Sequence, residues 1–272
     1  MMAAAFLGIF GTMIGSFLNV VIFRVPAGRS IVAPPSACPT CGSRIRGYDN
    51  VPVLSWLVLG GRCRVCRTGI SARYPTVELG TGLFFAAVTI WFLNVHPLAA
   101  EPAAAVGGIL RLIALLYLAA ISVTLSLIDL DTHRLPNVIV LPGYVVGAVL
   151  LGAAALLTGE PAALVTAGIG MAAMFGVYLL MAFAYPNGMG LGDVKLAGVL
   201  GLYLGSLGWE PLAVGAFAAF VLGGLFALVL VALRRVSRTG GIPFGPWMLA
   251  GAWLGIFAGV PIAHAYLGLF GL

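Results

Sequence analysis

A chain of 272 residues that is 61% hydrophobic and only 8% charged is excluded from the ordinary water-soluble domains, in which charged residues reach about 25%. Its composition is that of a polytopic, all-α integral membrane protein. The net charge of +6 is concentrated in arginine-rich loops. It reads as a signal of membrane orientation, with some attraction to anionic lipid head groups, and not as a nucleic-acid footprint.

Eight apolar segments are expected to span, at about 3–23, 76–95, 104–128, 138–157, 162–184, 194–208, 212–233 and 247–269. Most reach the roughly 20 residues that cross the hydrocarbon layer; the sixth is short. The first has no basic residue before it and Arg24 directly after it, the pattern of an anchoring helix with an outside N-terminus. Arg24, Arg29, Arg44, Arg46, Arg62, Arg64, Arg67 and Arg73 occupy the first loop, and Arg234, Arg235 and Arg238 the seventh. Eight spans put these loops on one side with Arg134 and Lys195. The opposite loops carry Glu101, Glu160 and Glu210, and Arg111 is left as the basic residue inside a span. The arginine-rich side is therefore expected to be cytoplasmic, with both chain ends outside.

One loop, about 24–75, is long enough to hold structure of its own, though too short for a large core. It carries two C-x2-C pairs, Cys38 with Cys41 and Cys63 with Cys66, separated by 21 residues. Four thiolates at this spacing on the cytosolic side suit a tetrahedral Zn(II). Its role would be structural, since four sulfurs leave no open position for catalysis. Unliganded or redox-active cysteines are the alternative. Elsewhere small residues recur at four-residue intervals, as at Gly201 and Gly205 or Gly251, Gly255 and Gly259, a pattern of close helix packing. No internal sequence repeat is evident.

The third segment runs into Asp129, and Pro136 stops a helix from continuing smoothly, so Asp129 belongs near a helix end. After Tyr185 and Pro186, the run Gly188-Met189-Gly190-Leu191-Gly192-Asp193-Val194-Lys195 delivers a second aspartate to the start of the sixth segment. Its glycines free the backbone to bend and admit close neighbours. For a single aspartate at a membrane boundary, a helix cap or ion pair is the ordinary explanation. Two at one depth, one in a glycine-rich turn, point to function. Such a pair can activate water against an amide, one carboxylate as base and the other protonated to polarise the carbonyl. Helix dipoles would make Asp193 the anion and Asp129 the acid. Lys195 is expected to orient or neutralise Asp193, or to anchor its span. Asp131 is a solvated bystander, His133 and Arg134 are loop residues, and His96 and His264 lie away from the chemistry.

An ordered series of motifs identifies a family resemblance. It runs from Gly15-Ser16-Phe17-Leu18-Asn19 and the cysteine pairs, through Asn50-Val51-Pro52 and Arg73-Tyr74-Pro75 with Glu78, to Asp129 before Leu135-Pro136 and Gly190-x-Gly192-Asp193-x-Lys195. Over nearly its whole length the chain resembles the type IV prepilin peptidases, bifunctional leader peptidases and N-methyltransferases of the GxGD aspartyl proteases. The resemblance implies that Asp129 and Asp193 are catalytic, that Gly190, Gly192 and Lys195 form the supporting loop, and that the four cysteines bind zinc. It implies prepilin and pseudopilin substrates cut at the cytoplasmic face of the inner membrane, then methylation of the new N-terminus with S-adenosylmethionine. Asn19, Arg73 and Glu78 match family positions and are candidates near a cofactor site that the residues themselves do not mark. The implied organisation is a first transmembrane helix (1–23), a cytoplasmic zinc-binding loop associated with methyl transfer (24–75) and a transmembrane aspartyl peptidase domain (76–272). Two positions depart from the family pattern, Asn137 for an aspartate and Arg67 for a glycine. A peptidase without methyl transfer, a cation or proton transporter using the same aspartates, and a zinc-loop assembly protein are the competing readings. The oligomeric state is not legible.

Overall fold

Helix is the expected outcome for long apolar runs in lipid, because only a helix satisfies its own backbone groups there. The computed structural model describes residues 1–97, 99–185, 189–233 and 243–271. Pro186, Gly188, Arg234, Arg235 and Arg238, all singled out in the sequence, lie outside this set. Among the described residues the structure is helical, with two isolated β-bridges. The helices are α1 (Met2–Arg24), α2 (Leu54–Val58), α3 (Arg73–Val95), α4 (Pro102–Thr132), α5 (Asn137–Leu157), α6 (Ala162–Ala184), α7 (Leu191–Leu207), α8 (Trp209–Ala232) and α9 (Gly245–Gly268).

Seven of these are long and apolar enough to cross a membrane. The remaining expected span, the short sixth one, corresponds to α7, whose 17 residues cover about 26 Å at 1.5 Å per residue. Large side chains such as Phe217 and Leu228 are 71% and 68% exposed, a liability in water but the ordinary state of a lipid-facing helix.

The chain divides into two compact units, one of Met1–Pro97 with Leu116–Thr124 and one of Leu98–Leu115 with Leu125–Leu272. In the first, α1 packs against α3 through missing side chains. A methyl group on Gly15 would stand 2.7 Å from the Glu78 Cα, and one on Gly11 would stand 2.9 Å from Phe85. In the second unit the same device joins α6 to α7, with Gly170 against Gly201 and Gly205, and joins α8 to α9, with Gly215 against Gly255. The small-residue spacing is thus used for backbone contact. Arg111 of α4 is buried, 9% exposed, and ion-paired with Glu160 beyond α5. This accounts for a cation inside a span, where an unpaired charge would be costly.

Candidate functional site

α4 runs for 31 residues, about 46 Å at helical rise, which exceeds the roughly 30 Å of hydrocarbon. Asp129 lies in its last turn. The helix ends where His133 turns left-handed, φ 53°, and returns its N–H to the Asp129 carbonyl at 2.8 Å. Pro136 then caps α5, as a residue that cannot continue a helix is expected to do.

Asp129 is 5% exposed, and its Oδ2 accepts the N–H of Gly245 at 3.0 Å. Gly245 opens α9, so this donor is one of the N–H groups that a helix start leaves without an internal partner. Asp193, partly buried, sits in the first turn of α7, and its Oδ2 accepts the N–H of Gly190 at 3.2 Å. The two carboxylates are close enough to interact electrostatically. Each therefore has Oδ2 engaged by a helix-start N–H, which directs any exchanged proton to Oδ1. The α9 start facing Asp129 offsets the end of its own helix, so dipoles no longer separate the pair as the sequence reading supposed.

Leu135 links these parts. A methyl group on Gly192 would meet its Cβ at 3.1 Å, and one on Gly245 would meet its Cδ2 at 3.2 Å. Gly190 has an ordinary φ of −81°, so close approach at Gly192, more than freedom to bend, explains the glycine-rich turn. Lys195 is placed differently from the expectation that it orients Asp193: its Nζ donates to Asn137 Oδ1 at 3.0 Å. It ties the start of α7 to the start of α5, through one of the two positions that depart from the family pattern. Asp131 is exposed. Sequence reasoning missed Gly245 altogether, although a glycine followed by proline at the head of an apolar run is a helix-start signal.

An alanine at Gly245 would place its Cβ 2.7 Å from Asp129 Oδ2. Gly245→Ala is expected to break or stretch the hydrogen bond to that carboxylate and to lower turnover by about 10–100-fold, the usual worth of a bond to a charged group. Steady-state rates on the detergent-purified variant, beside its melting curve, check this. Full activity would show that the contact is dispensable.

The cysteines form a second, separate constellation. All four Sγ atoms lie within 4.8 Å of one another, and Cys38 Sγ is 3.7 Å from Cys66 Sγ. The edge of a tetrahedral ZnS4 centre with 2.3 Å bonds is about 3.8 Å, so the donor set fits a metal of that kind. The two halves repeat each other. Gly42 N–H donates to the Cys38 carbonyl at 2.9 Å, and Arg67 N–H to the Cys63 carbonyl at 3.0 Å; Cys38 N–H donates to Ser43 and Cys63 N–H to Thr68. Each turn is closed by one bridge, Ala37 with Arg44 and Arg62 with Gly69. A short repeat is therefore present where the sequence alone showed none. Hydrogen bonds from the Thr68 side chain and backbone pull the Cys66 thiol down to about 6, which suits a thiolate ligand. Asp49 adds a fork of hydrogen bonds from Arg64 across the loop.

The repeat explains the cost of the other departure. Gly42 and Arg67 occupy matching positions at φ 69° and 59°, a region natural to glycine and strained for other L residues. Arg67→Gly is expected to stabilise the loop by about 1 kcal/mol, read as slower amide exchange at residues 63–70. Unchanged exchange would count against the left-handed turn.

Of the candidates for a cofactor site, Glu78 is buried and accepts the Val53 N–H at 2.7 Å, while Asn19 Nδ2 donates to the Tyr74 carbonyl at 3.1 Å. Val53 itself is at φ 62°, a poor conformation for a β-branched residue. Glu78 thus anchors a strained point of the loop on α3. These contacts are structural and carry no mark of adenosine recognition; Arg73 opens α3.

A helical membrane protein with paired carboxylates held by helix-start N–H groups, and a four-thiol loop able to hold a metal, has the build of a membrane-embedded hydrolase. Residues 9–92 match the bacterial peptidase A24 N-terminal domain, and residues 116–228 match the type IV leader peptidase family. The chain is 32% identical to the prepilin leader peptidase/N-methyltransferase of Pseudomonas putida, across 97% of this chain and 93% of that protein. It is 34% identical to the protein of the same description from Aeromonas hydrophila, across 96% and 93%. The chain belongs to the prepilin leader peptidase/N-methyltransferase family. No solved structure matches it.

Proposed function

We propose that the chain is a multi-pass enzyme of the inner membrane that removes the leader of type IV prepilins and pseudopilins and methylates the new N-terminus. The observation that carries the peptidase half is the meeting of Asp129 and Asp193, each held through Oδ2, with Oδ1 left for proton exchange among the described residues. Asp193, the more exposed of the two, takes a proton from water as the hydroxide adds to the scissile carbonyl carbon. Asp129 gives its proton to the carbonyl oxygen. The tetrahedral intermediate then expels the amine, which takes up the proton held by Asp193, while one hydroxyl of the intermediate returns its proton to Asp129 as the carbonyl re-forms. Gly190 and Gly192 shape the turn, and Lys195 with Asn137 fixes the start of α7.

Cys38, Cys41, Cys63 and Cys66 would hold Zn(II), which cross-links the loop and, with all four positions filled, supplies no chemistry to substrate. S-adenosylmethionine supplies the methyl group. The contacts of Asn19 and Glu78 hold the loop to α1 and α3, so no transfer step is assigned to them or to Arg73. On this reading 1–23 is the first anchor, 24–75 the zinc loop associated with methyl transfer, and 76–272 the peptidase domain. Arginine bias orients the zinc loop and both aspartates toward the cytoplasm, with the chain ends outside. Family membership sets the transporter reading aside.

The test is mass spectrometry of a prepilin incubated with the purified protein and S-adenosylmethionine. Leader loss plus one methyl group is the expected product. Leader loss alone would reduce the proposal to a peptidase, and an intact prepilin would overturn it.

A further inference from the structure

The mechanism leaves unused a buried hydroxyl beside the aspartate pair. Tyr178 on α6 is 1% exposed, and its hydroxyl has no hydrogen-bond partner among the described residues. A buried polar group in that state is uncommon and asks for a reason. Its location follows from the way α6 and α7 pack. The antiparallel pair crosses at Gly170 against Gly201, and again at Thr166 and Ala167 against Gly205. Moving eight residues back along α7 from Gly201 and eight forward along α6 from Gly170 brings Asp193 level with Tyr178. The two side chains interact electrostatically, in agreement with that register.

The ring is also held from the other side. It lies 5.5 Å from the Phe220 ring and 6.3 Å from the Phe244 ring, centroid to centroid, and Phe220 and Phe244 are themselves 5.5 Å apart. Phe244 is the residue before Gly245, whose N–H holds Asp129. One aromatic cluster thus joins the helix start that fixes Asp129 to the helix facing Asp193. Burying the tyrosine ring needs no hydroxyl, and a phenylalanine would fill the same space without leaving a polar atom unmatched.

We propose that Tyr178 is a positioning residue of the peptidase: with a substrate peptide in the site, its hydroxyl donates a hydrogen bond to Asp193 Oδ1 and fixes the carboxylate that activates water. The inference rests on the peptidase reading. Asp193 then has one donor on each oxygen, the Gly190 N–H on Oδ2 and the Tyr178 hydroxyl on Oδ1, the latter holding the carboxylate until it takes the water proton. A phenolic O–H on an ionised carboxylate belongs to the stronger class of hydrogen bonds.

The experiment compares wild type, Tyr178→Phe and protein carrying 3-fluorotyrosine at position 178, with a prepilin as substrate. Tyr178→Phe is expected to lower kcat by about 10–100-fold, the usual worth of a hydrogen bond to a charged group, with KM within about twofold and the melting temperature unchanged. The fluorinated residue keeps the ring and hydroxyl but makes the donor more acidic, so it is expected to change kcat without changing stability. That result holds the proposal open to test even if the phenylalanine variant folds poorly. Wild-type kcat in either folded protein would overturn the positioning role. A wild-type enzyme that leaves the prepilin intact would instead remove the peptidase reading, and this inference with it.

Discussion

Asp193→Asn and Asp129→Asn are each expected to reduce leader cleavage by at least about 10³-fold, within the range of general acid or base catalysis. Asparagine preserves size and can still accept the N–H of Gly190 or Gly245, so helix starts α7 and α9 keep their partners. What it cannot do is exchange a proton at the position of Oδ1. A loss of this size corresponds to about 4 kcal/mol of barrier, more than displacement of one hydrogen bond supplies. Both variants should retain wild-type melting behaviour, and the double variant should be little worse than either single one, because the two groups act on one transition state. Asp131→Asn, two positions on and exposed, is expected to cleave at nearly the wild-type rate. The check is a time course of mature pilin by mass spectrometry. Cleavage by either single variant within tenfold of wild type would remove that aspartate from the chemistry.

Cys41→Ser is expected to release the metal and dissolve the order of the cysteine loop. The loop has little else to stand on: the described segment between α1 and α3 has one five-residue helix, one short 3-10 turn and two isolated bridges. Cys41 and Cys66 are exposed, so sulfur burial contributes little. In small sites of this kind metal binding supplies the folding free energy itself. Metal analysis should fall from about one zinc per chain to well below that. Hydrogen exchange should accelerate across residues 36–70 while α5 to α9 keep their protection. One zinc per chain retained by the variant would assign the metal elsewhere. A wild-type protein free of zinc, with four titratable thiols, would reject the centre.

The helices were legible because twenty apolar residues in lipid have few other choices, and the short sixth span was visible as such from its length. Asp129 and Asp193 could be paired from depth alone. The four cysteines could be joined by spacing. Partners separated far along the chain were not legible: Gly245 reaches Asp129 across 116 positions, and no local pattern announces that the N–H of one helix will meet the last turn of another. Between orienting Asp193 and anchoring its span, the role of Lys195 was not legible for a related reason. An ammonium two residues from a carboxylate in sequence suggests a pair, but positions i and i+2 on a helix do not face each other, and Asn137 lies where the lysine points. Tyr178 passed as one more apolar-run aromatic until the α6 and α7 register placed it. Arg67 could be flagged as unusual, yet the sign of its φ needed the fold.

The contact of Gly170 with Gly201 and Gly205 has a mechanical meaning. Two helices meeting backbone to backbone have no side-chain rotamers through which to slide, so α6 and α7 travel as one stiff lever that carries Asp193 and Tyr178 together. Asp129 is fastened to a different piece, the start of α9. The Tyr178 and Phe244 rings, 6.3 Å apart, join that lever to the start of α9, so the spacing of the two carboxylates is set by helix packing and not by a loop.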